Sequence, residues 1–198
     1  MKEEFKKQFR YWFYVNLSLF FVLFLIGVGI ANIIPKQTYN VTEKWIELNP
    51  VASKIDTEKG FLYNNFFIFT NNLFVQFLIV LDGIYGLSIF FPPLFGAFAG
   101  LFIGSSAFSH KLILFAFLEG INFCFCSSSL MARAGLVYNF SNLKSFFVFL
   151  KNLFRGKHIV IKSPALKEID RVVFWLVLIS IFITLILASV ETFWIKYI

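Results

Sequence analysis

The feature that most constrains this chain is an uncharged apolar run of 24 residues, YWFYVNLSLFFVLFLIGVGIANII, at positions 11–34. About 20 apolar residues in a helix cross a hydrocarbon core that is about 30 Å thick. Because lipid offers the backbone no hydrogen bonds, a run of this length must form a helix there. Further apolar runs follow, and 59% of the whole chain is apolar. The sequence therefore predicts an all-α, polytopic transmembrane helix bundle.

Five membrane spans are predicted, and together they form a single transmembrane domain over residues 1–198. The spans lie at about 11–34, 63–91, 94–109, 111–137 and 172–194. Between them are an outer loop of mixed charge, 35–62, and a basic cytoplasmic loop, 138–171. The second span is predicted to end at Pro92 and Pro93, since proline removes a backbone donor and clashes in a helix interior.

The third span is short, and the distribution of charge decides its interpretation. Residues 94–109 would rise only about 24 Å as a helix, less than the hydrocarbon thickness. If this segment turned back, the basic loop would lie outside, against the usual excess of Lys and Arg in cytoplasmic loops. A full crossing places that loop inside, with the basic N-terminus. We therefore predict a multi-pass protein of the cell membrane, N-terminus in and C-terminus out.

Polar residues on the second and fourth spans fall on one side of each helix, at about 100° per residue. The predicted functional candidates within the membrane are Asn71, Asn72, Gln76, Asp82, Glu119, Asn122 and Arg133. An ionised side chain at a helix centre costs roughly 2.5 to 3.5 kcal/mol on insertion scales, so the two polar faces are expected to point inward. The positions of Asp82 and Arg133 in their spans would allow a side-chain pair.

Glycines are the predicted helix-packing residues. Gly96, Gly100 and Gly104 recur every four residues on the third span, which makes a groove that another helix backbone can approach closely. Gly83 and Gly86 continue the polar face of the second span. The partner of the groove is predicted to be a helix of the same chain, and a second copy in a homo-oligomer is the alternative.

The segment NLKSFFVFLKNLFRGKH in the basic loop predicts an amphipathic helix on the inner membrane surface. Lys144, Lys151 and Arg155 lie on its basic side. Its apolar side comprises Phe146, Phe149, Leu150, Leu153 and Phe154. Anionic lipid would attract each basic residue by about 1 kcal/mol, and docking on a protein partner would produce the same pattern. Nucleic-acid binding is not favoured, because the phenylalanines form one face suited to lipid and not a stacking platform.

The sequence contains no pattern of catalytic or metal-ligating residues. Cys124 and Cys126 would point to nearly opposite sides of a helix, and the run Ser127–Ser129 has no histidine on its helix. Phosphate-binding glycine loops, HExxH pairs and GxSxG elbows do not occur in it. We therefore predict no enzyme activity, no metal and no cofactor.

The segments IFTNNLFVQFLIVLDGIYG, LFGAFAGLFIG, LEGIN and MARAGL together resemble the stage II sporulation protein M family of bacterial and archaeal membrane proteins. By position, Asn71 and Asn72 match the paired asparagines of the family, and Glu119 matches its intramembrane glutamate. The resemblance covers roughly residues 60–137. It implies a non-enzymatic integral membrane component, a scaffold or assembly subunit that acts with another membrane or envelope protein.

The chain departs from that family pattern in two places. Phe95 stands where an asparagine before glycine is usual, and Phe115 and Ala116 stand where His-Gly precedes the glutamate. A joint role of that histidine with the glutamate is therefore not expected here. The residues themselves leave one alternative open, a small transporter or channel that moves a proton, ion or small solute with Asp82 and Glu119.

Overall fold

A computed structural model of the chain describes residues 2–48, 60–84, 86–105, 113–156 and 167–197. All regular structure in these ranges is helical, which confirms the all-α prediction for them. The α-helices are α1 (Lys2–Ile33), α2 (Pro35–Leu48), α3 (Phe61–Ile84), α4 (Phe91–Gly104), α5 (Ile113–Tyr138), α6 (Leu143–Phe154) and α7 (Lys167–Tyr197). A short 3-10 helix, Ser88–Phe90, precedes α4.

Four of these helices, α1, α3, α5 and α7, are long and apolar enough to cross a membrane. Four such helices indicate a membrane protein, as the apolar runs of the sequence predicted. The helix α4 is apolar but has only 14 residues and rises about 21 Å. It covers most of the predicted span 94–109, of which residues 106–109 lie outside the described ranges.

Two predicted boundaries differ from the structure. The first part of the predicted outer loop is the helix α2. This helix packs on α1 and α4, and its Thr42 is buried. Residues 49–59 of that loop lie outside the described ranges. The second predicted span ends earlier than expected, because α3 stops at Ile84. Pro92 and Pro93 begin α4 instead of ending a helix. Proline is tolerated in the first turn, where its missing N–H would have no helical partner.

The helix α5 is central and packs against α1, α3, α4 and α7. Of its 26 residues, 17 are buried. Many of them are small, including Cys124, Cys126 and the run Ser127–Ser129, so neighbouring helices can approach α5 from several sides. Both cysteines are free thiols, and their surroundings are those of packing residues.

The helices α3 and α5 run in the same direction. Asn72 of α3 contacts Glu119 of α5, and Gly83 of α3 contacts Leu130 of α5. From the first contact to the second, residue numbers increase by the same amount in both helices, so the helices are parallel. The chain between them must therefore return through the bundle. The helix α4 makes this return alongside α1.

Glycines of α4 lie directly against the backbone of α1. A Cβ on Gly96 would meet the carbonyl oxygen of Phe20, and a Cβ on Gly100 would meet that of Phe24. Gly104 is similarly close to α1 one turn later. The groove predicted from the glycine spacing is therefore occupied by a helix of the same chain.

One end of the bundle collects basic residues, and we call it the basic end. Lys2 Nζ lies 2.9 Å from Glu168 Oε1, and Arg133 Nε lies 2.6 Å from Asp170 Oδ1, so the start of α7 meets the start of α1 and the end of α5. Arg133 thus pairs with α7, and not with Asp82 as the sequence suggested. The basic residues of this end are Lys2, Lys6, Lys7, Arg10, Arg133, Lys144, Lys151, Arg155, Lys167 and Arg171.

The helix α6 starts at a capping box at the basic end. The Asn142 side chain accepts a hydrogen bond from the Ser145 backbone N–H at 3.0 Å, and the Ser145 hydroxyl accepts one from the Asn142 N–H at 3.1 Å. This pair satisfies two backbone donors that a helix N-terminus leaves free. The Tyr11 hydroxyl of α1 accepts a further hydrogen bond from the Leu143 N–H at 3.0 Å. These bonds set where α6 begins on the bundle.

Much of the apolar face of α6 is buried in the core of the chain itself. Phe146 is 1% exposed, and its ring centroid lies 5.8 Å from that of Trp12 and 6.4 Å from that of Phe90. Phe149 and Leu150 are also buried. These side chains therefore contact the bundle, which corrects the prediction that they face the inner leaflet. The rise of α4 is about 9 Å less than the 30 Å thickness of a hydrocarbon core, and this aromatic cluster lies next to its start.

Candidate functional site

The predicted polar face of α3 lies against α5 and α7. The Asn72 amide donates a hydrogen bond to Glu119 Oε1 of α5. One turn further along α3, the Gln76 amide donates to the Ser180 hydroxyl at 2.8 Å and to the Ser180 carbonyl oxygen at 3.1 Å. All four residues are buried. The face therefore joins three membrane helices.

Asn122 links α5 to α7 with three hydrogen bonds. Its amide donates to the Ser180 carbonyl oxygen and the Thr184 hydroxyl, both at 3.0 Å, and its oxygen accepts from the Ser180 hydroxyl at 2.9 Å. Side-chain bonds of this kind between membrane helices contribute about 0.6 kcal/mol each on average. We define the amide cluster as Asn72, Gln76, Glu119, Asn122, Ser180 and Thr184.

The α7 residues of the amide cluster were not predicted from the sequence. Ser180 and Thr184 belong to a spacing of four that continues through Ala188 and Thr192, and all four are buried. The Thr184 and Thr192 hydroxyls also donate to carbonyl oxygens one turn earlier in α7, at 3.1 and 2.7 Å. A hydroxyl that bonds its own helix is tolerated in lipid, so it gives a weaker sequence signal than Asn or Glu. The recurrence of these residues every four positions on α7 was the sequence signal that could have identified them.

Glu119 has a neighbouring carboxyl, and this neighbour is Glu191 and not Asp82. Glu191 of α7 is close enough for its charge to act on Glu119. Asp82 lies ten residues beyond Asn72 on α3, about 15 Å along the helix axis. No described residue donates a hydrogen bond to the Asp82 carboxylate. The two carboxyls that the sequence paired in one path therefore lie at different depths of the bundle.

A second polar contact joins α1, α5 and the turn before α4. The Asn16 amide donates to the Ser127 and Ser128 hydroxyls at 3.2 and 2.9 Å. The Ser127 hydroxyl donates to the Ser88 carbonyl oxygen at 2.8 Å, and the Ser88 hydroxyl returns a bond to the Ser127 carbonyl oxygen at 3.3 Å. Backbone that leaves a helix at membrane depth is tolerated only where protein satisfies it. Asn16 and Ser88, which perform this role, were not predicted.

The other predicted residues lie around the amide cluster. Asn71 is half-buried, and its amide donates to Asn72 Oδ1 at 3.3 Å. A Cβ on Gly83 would lie 2.7 Å from the Leu130 side chain, so this glycine brings α3 close to α5. Gly86 has a φ of 73°, which L side chains rarely adopt, and it turns the chain after α3.

The chemistry of the site is that of helix association. Among the described residues, no group of three His, Cys, Asp or Glu side chains could hold a metal ion. The hydroxyls of the run Ser127–Ser129 all donate to backbone carbonyl oxygens. The amide cluster contains amide donors, hydroxyls and one carboxyl, each bonded to a neighbouring helix. Such a set can hold helices together, and its one carboxyl can bind a proton.

Comparison with known proteins finds no match. No protein-family model, no curated protein and no solved structure is similar to the chain. The resemblance to the stage II sporulation protein M family therefore stays a prediction drawn from its short motifs. The geometry of the bundle is what supports a function.

Proposed function

We propose that the chain is a non-enzymatic scaffold or assembly subunit of a cell-membrane or envelope complex, with its N-terminus in the cytoplasm. The distribution of lysines and arginines between the two ends of the bundle supports this orientation. The basic end holds ten of the 18 lysines and arginines, whereas α2 at the opposite end balances two lysines with two glutamates. Cytoplasmic segments next to membrane helices carry such an excess of positive charge.

The proposal includes five membrane crossings. Because α3 and α5 run in the same direction, α4 carries the chain back between them. A helix that rises about 21 Å can serve as a crossing if the bilayer thins locally or if neighbours cover its ends. The Phe146 cluster of α6 supplies such a cover near the basic end.

The observation that carries the scaffold proposal is the amide cluster. Its polar groups bond to one another across α3, α5 and α7, most directly at Asn122, Ser180 and Thr184. Polar side chains that are committed to helix contacts hold a bundle in one arrangement. A bundle of this kind suits a protein that presents a surface to a partner.

The surface offered to a partner is the outward face of α6. Phe147 and Phe154 are 59% and 82% exposed there. Lys144, Lys151 and Arg155 are exposed on the same helix and its end. Aromatic and basic side chains together suit an acidic, apolar segment of another membrane or envelope protein, held at the bilayer surface.

Photo-crosslinking in native membranes tests this surface. A photoreactive phenylalanine at position 147 is expected to form an adduct with another protein, because this side chain points away from the bundle. The same residue at position 174, which is 58% exposed on α7, is the control and is expected to label lipid. Glu119→Gln should leave the adduct at 147 unchanged. No protein adduct at 147, or an equal one at 174, would refute the scaffold proposal.

A second candidate function is movement of a proton or cation, and one observation favours it. Glu119 and Glu191 are neighbouring carboxyls in a helical bundle that crosses lipid. Carboxyls in membrane helices are costly, and they often mark an ion or proton path. This version of the transport hypothesis replaces Asp82 with Glu191.

A flux assay separates the two functions. For a scaffold, purified protein in liposomes is expected to conduct protons and monovalent cations no faster than protein-free liposomes. Flux that disappears in Glu119→Gln and Glu191→Gln, but persists in Asp82→Asn, would establish transport instead. Asp82→Asn is the matched control, because it removes the charge of a membrane carboxyl about 15 Å from Glu119 along the axis.

A further inference from the structure

A groove opens between α1 and α7 near the basic end. It has a volume of about 350 Å³, within the range of roughly 300 to 1,000 Å³ typical of small-molecule sites. The groove forms because α1 and α7 each pack on α5 but make little contact with each other. Phe125 of α5 and the Lys2–Glu168 ion pair also line it.

The walls of this groove are apolar over most of their length. Phe9 stands on the α1 side, with its ring centroid 5.5 Å from that of Phe125 in an edge-on arrangement. Val172 and Leu176 stand on the α7 side. These walls lie at the starts of two helices that are long and apolar enough to cross a membrane, so lipid can reach the groove from the side.

The rim of the groove is positively charged. Lys2, Lys6 and Arg10 follow one another every four residues on α1 and all line it. Lys2 is bonded to Glu168 and Lys6 to Glu3, at 2.9 and 2.8 Å. Arg10 is exposed, and no carboxylate in the described part of the chain lies within ion-pair distance of its guanidinium. Arg10 is therefore available to an anion from outside the chain.

We infer that this groove binds one anionic phospholipid from the leaflet at the basic end. An acyl chain lies between Phe9, Phe125 and Leu176, and the lipid phosphate accepts hydrogen bonds from Arg10. The guanidinium suits this role, since its planar donors match phosphate oxygens in pairs. The site is separate from α6, whose basic residues would act on the membrane surface as a whole.

Native mass spectrometry of the purified full-length chain in detergent tests the lipid site. The protein is titrated with phosphatidylglycerol and, separately, with phosphatidylcholine. One phosphatidylglycerol is expected to bind about tenfold more tightly than phosphatidylcholine, since bonds to charged groups are strong. Arg10→Gln should weaken phosphatidylglycerol binding about tenfold. Arg171→Gln is the matched control, because Arg171 is exposed on α7 at the same end and does not line the groove.

A blocking variant tests the apolar part of the site. Val172→Trp places a larger side chain in the groove and is expected to weaken binding of both lipids, while the thermal midpoint confirms that the variant is folded. Equal binding of the two lipids, or equal losses in Arg10→Gln and Arg171→Gln, would overturn the proposal. A blocking variant that binds lipid normally but turns a dimer into a monomer would show that a second copy occupies the groove.

Discussion

Replacing Gly100 with valine is expected to separate α4 from α1 and to lower the free energy of unfolding by about 3 kcal/mol or more. A Cβ at this position would meet the carbonyl oxygen of Phe24 and would lie 3.0 Å from the Val28 nitrogen. Overpacking a core usually costs about 1 to 3 kcal/mol when side chains can adjust. Here the obstacle is backbone, which cannot rotate away. Unfolding of the purified protein by transfer from mild detergent to sodium dodecyl sulfate measures the change.

Gly29→Val is the matched control for this prediction. Gly29 lies on α1, the partner helix, and among the described residues no atom outside the adjoining backbone of α1 lies within 4 Å of the Cβ that would be added. The control has the same change in side-chain volume and the same loss of glycine flexibility, without the collision. We expect its free energy of unfolding to change by less than about 1 kcal/mol. Similar losses in both variants would mean that the contact between α1 and α4 is not as close as the structure places it.

Replacing Trp12 with alanine is expected to lower the free energy of unfolding by about 3 to 5 kcal/mol. Trp12 has no exposed surface, and its ring lies edge-on to Phe140 and Phe146 at 5.8 Å each. Alanine would leave a cavity beneath α6 and remove the contact of Trp12 with Phe146 that joins this helix to α1. Hydrogen exchange of the α6 backbone should therefore accelerate more than that of α5. Both quantities are measurable on the same purified protein.

Trp175→Ala is the control, because Trp175 is 57% exposed on α7. It removes the same side chain from an exposed position on the bundle, where little packing is lost. We expect a change of less than about 1 kcal/mol and no acceleration of exchange in α6. If Trp12→Ala were no more harmful than Trp175→Ala, or left exchange in α6 unchanged, the burial of α6 against the bundle would be wrong.

Helical periodicity identified part of the amide cluster. Asn72, Gln76, Glu119 and Asn122 are costly in lipid, so their positions on a helical wheel reveal which face must be inside. This reasoning did not identify Ser180 and Thr184, because their hydroxyls can form hydrogen bonds within their own helix and so cost little in lipid. Glu191 was not predicted either, since it is an isolated acidic residue near the end of the last span.

The packing of α4 and α6 shows which features of a helix contact a sequence pattern can predict and which it cannot. The glycine spacing of Gly96 and Gly100 predicted a close helix contact, and the structure places α1 in it. The amphipathic pattern of α6 predicted an apolar face but could not distinguish lipid from protein as its neighbour. Both environments are apolar, so a phenylalanine at position 146 is compatible with either of them. Only the tertiary structure, in which Phe146 packs against Trp12 and Phe90, selects between them.

The sequence by itself determined that the chain forms long apolar helices, because lipid leaves the backbone no other partners, and which face of α3 and of α5 carries costly polar residues. The tertiary structure decided which polar groups meet. Arg133 pairs with Asp170 and not with Asp82, and Glu119 has Glu191 as its neighbour. These choices depend on how far the helices slide along one another. A shift of one turn, about 5.4 Å, exchanges every contact while leaving each helix unchanged.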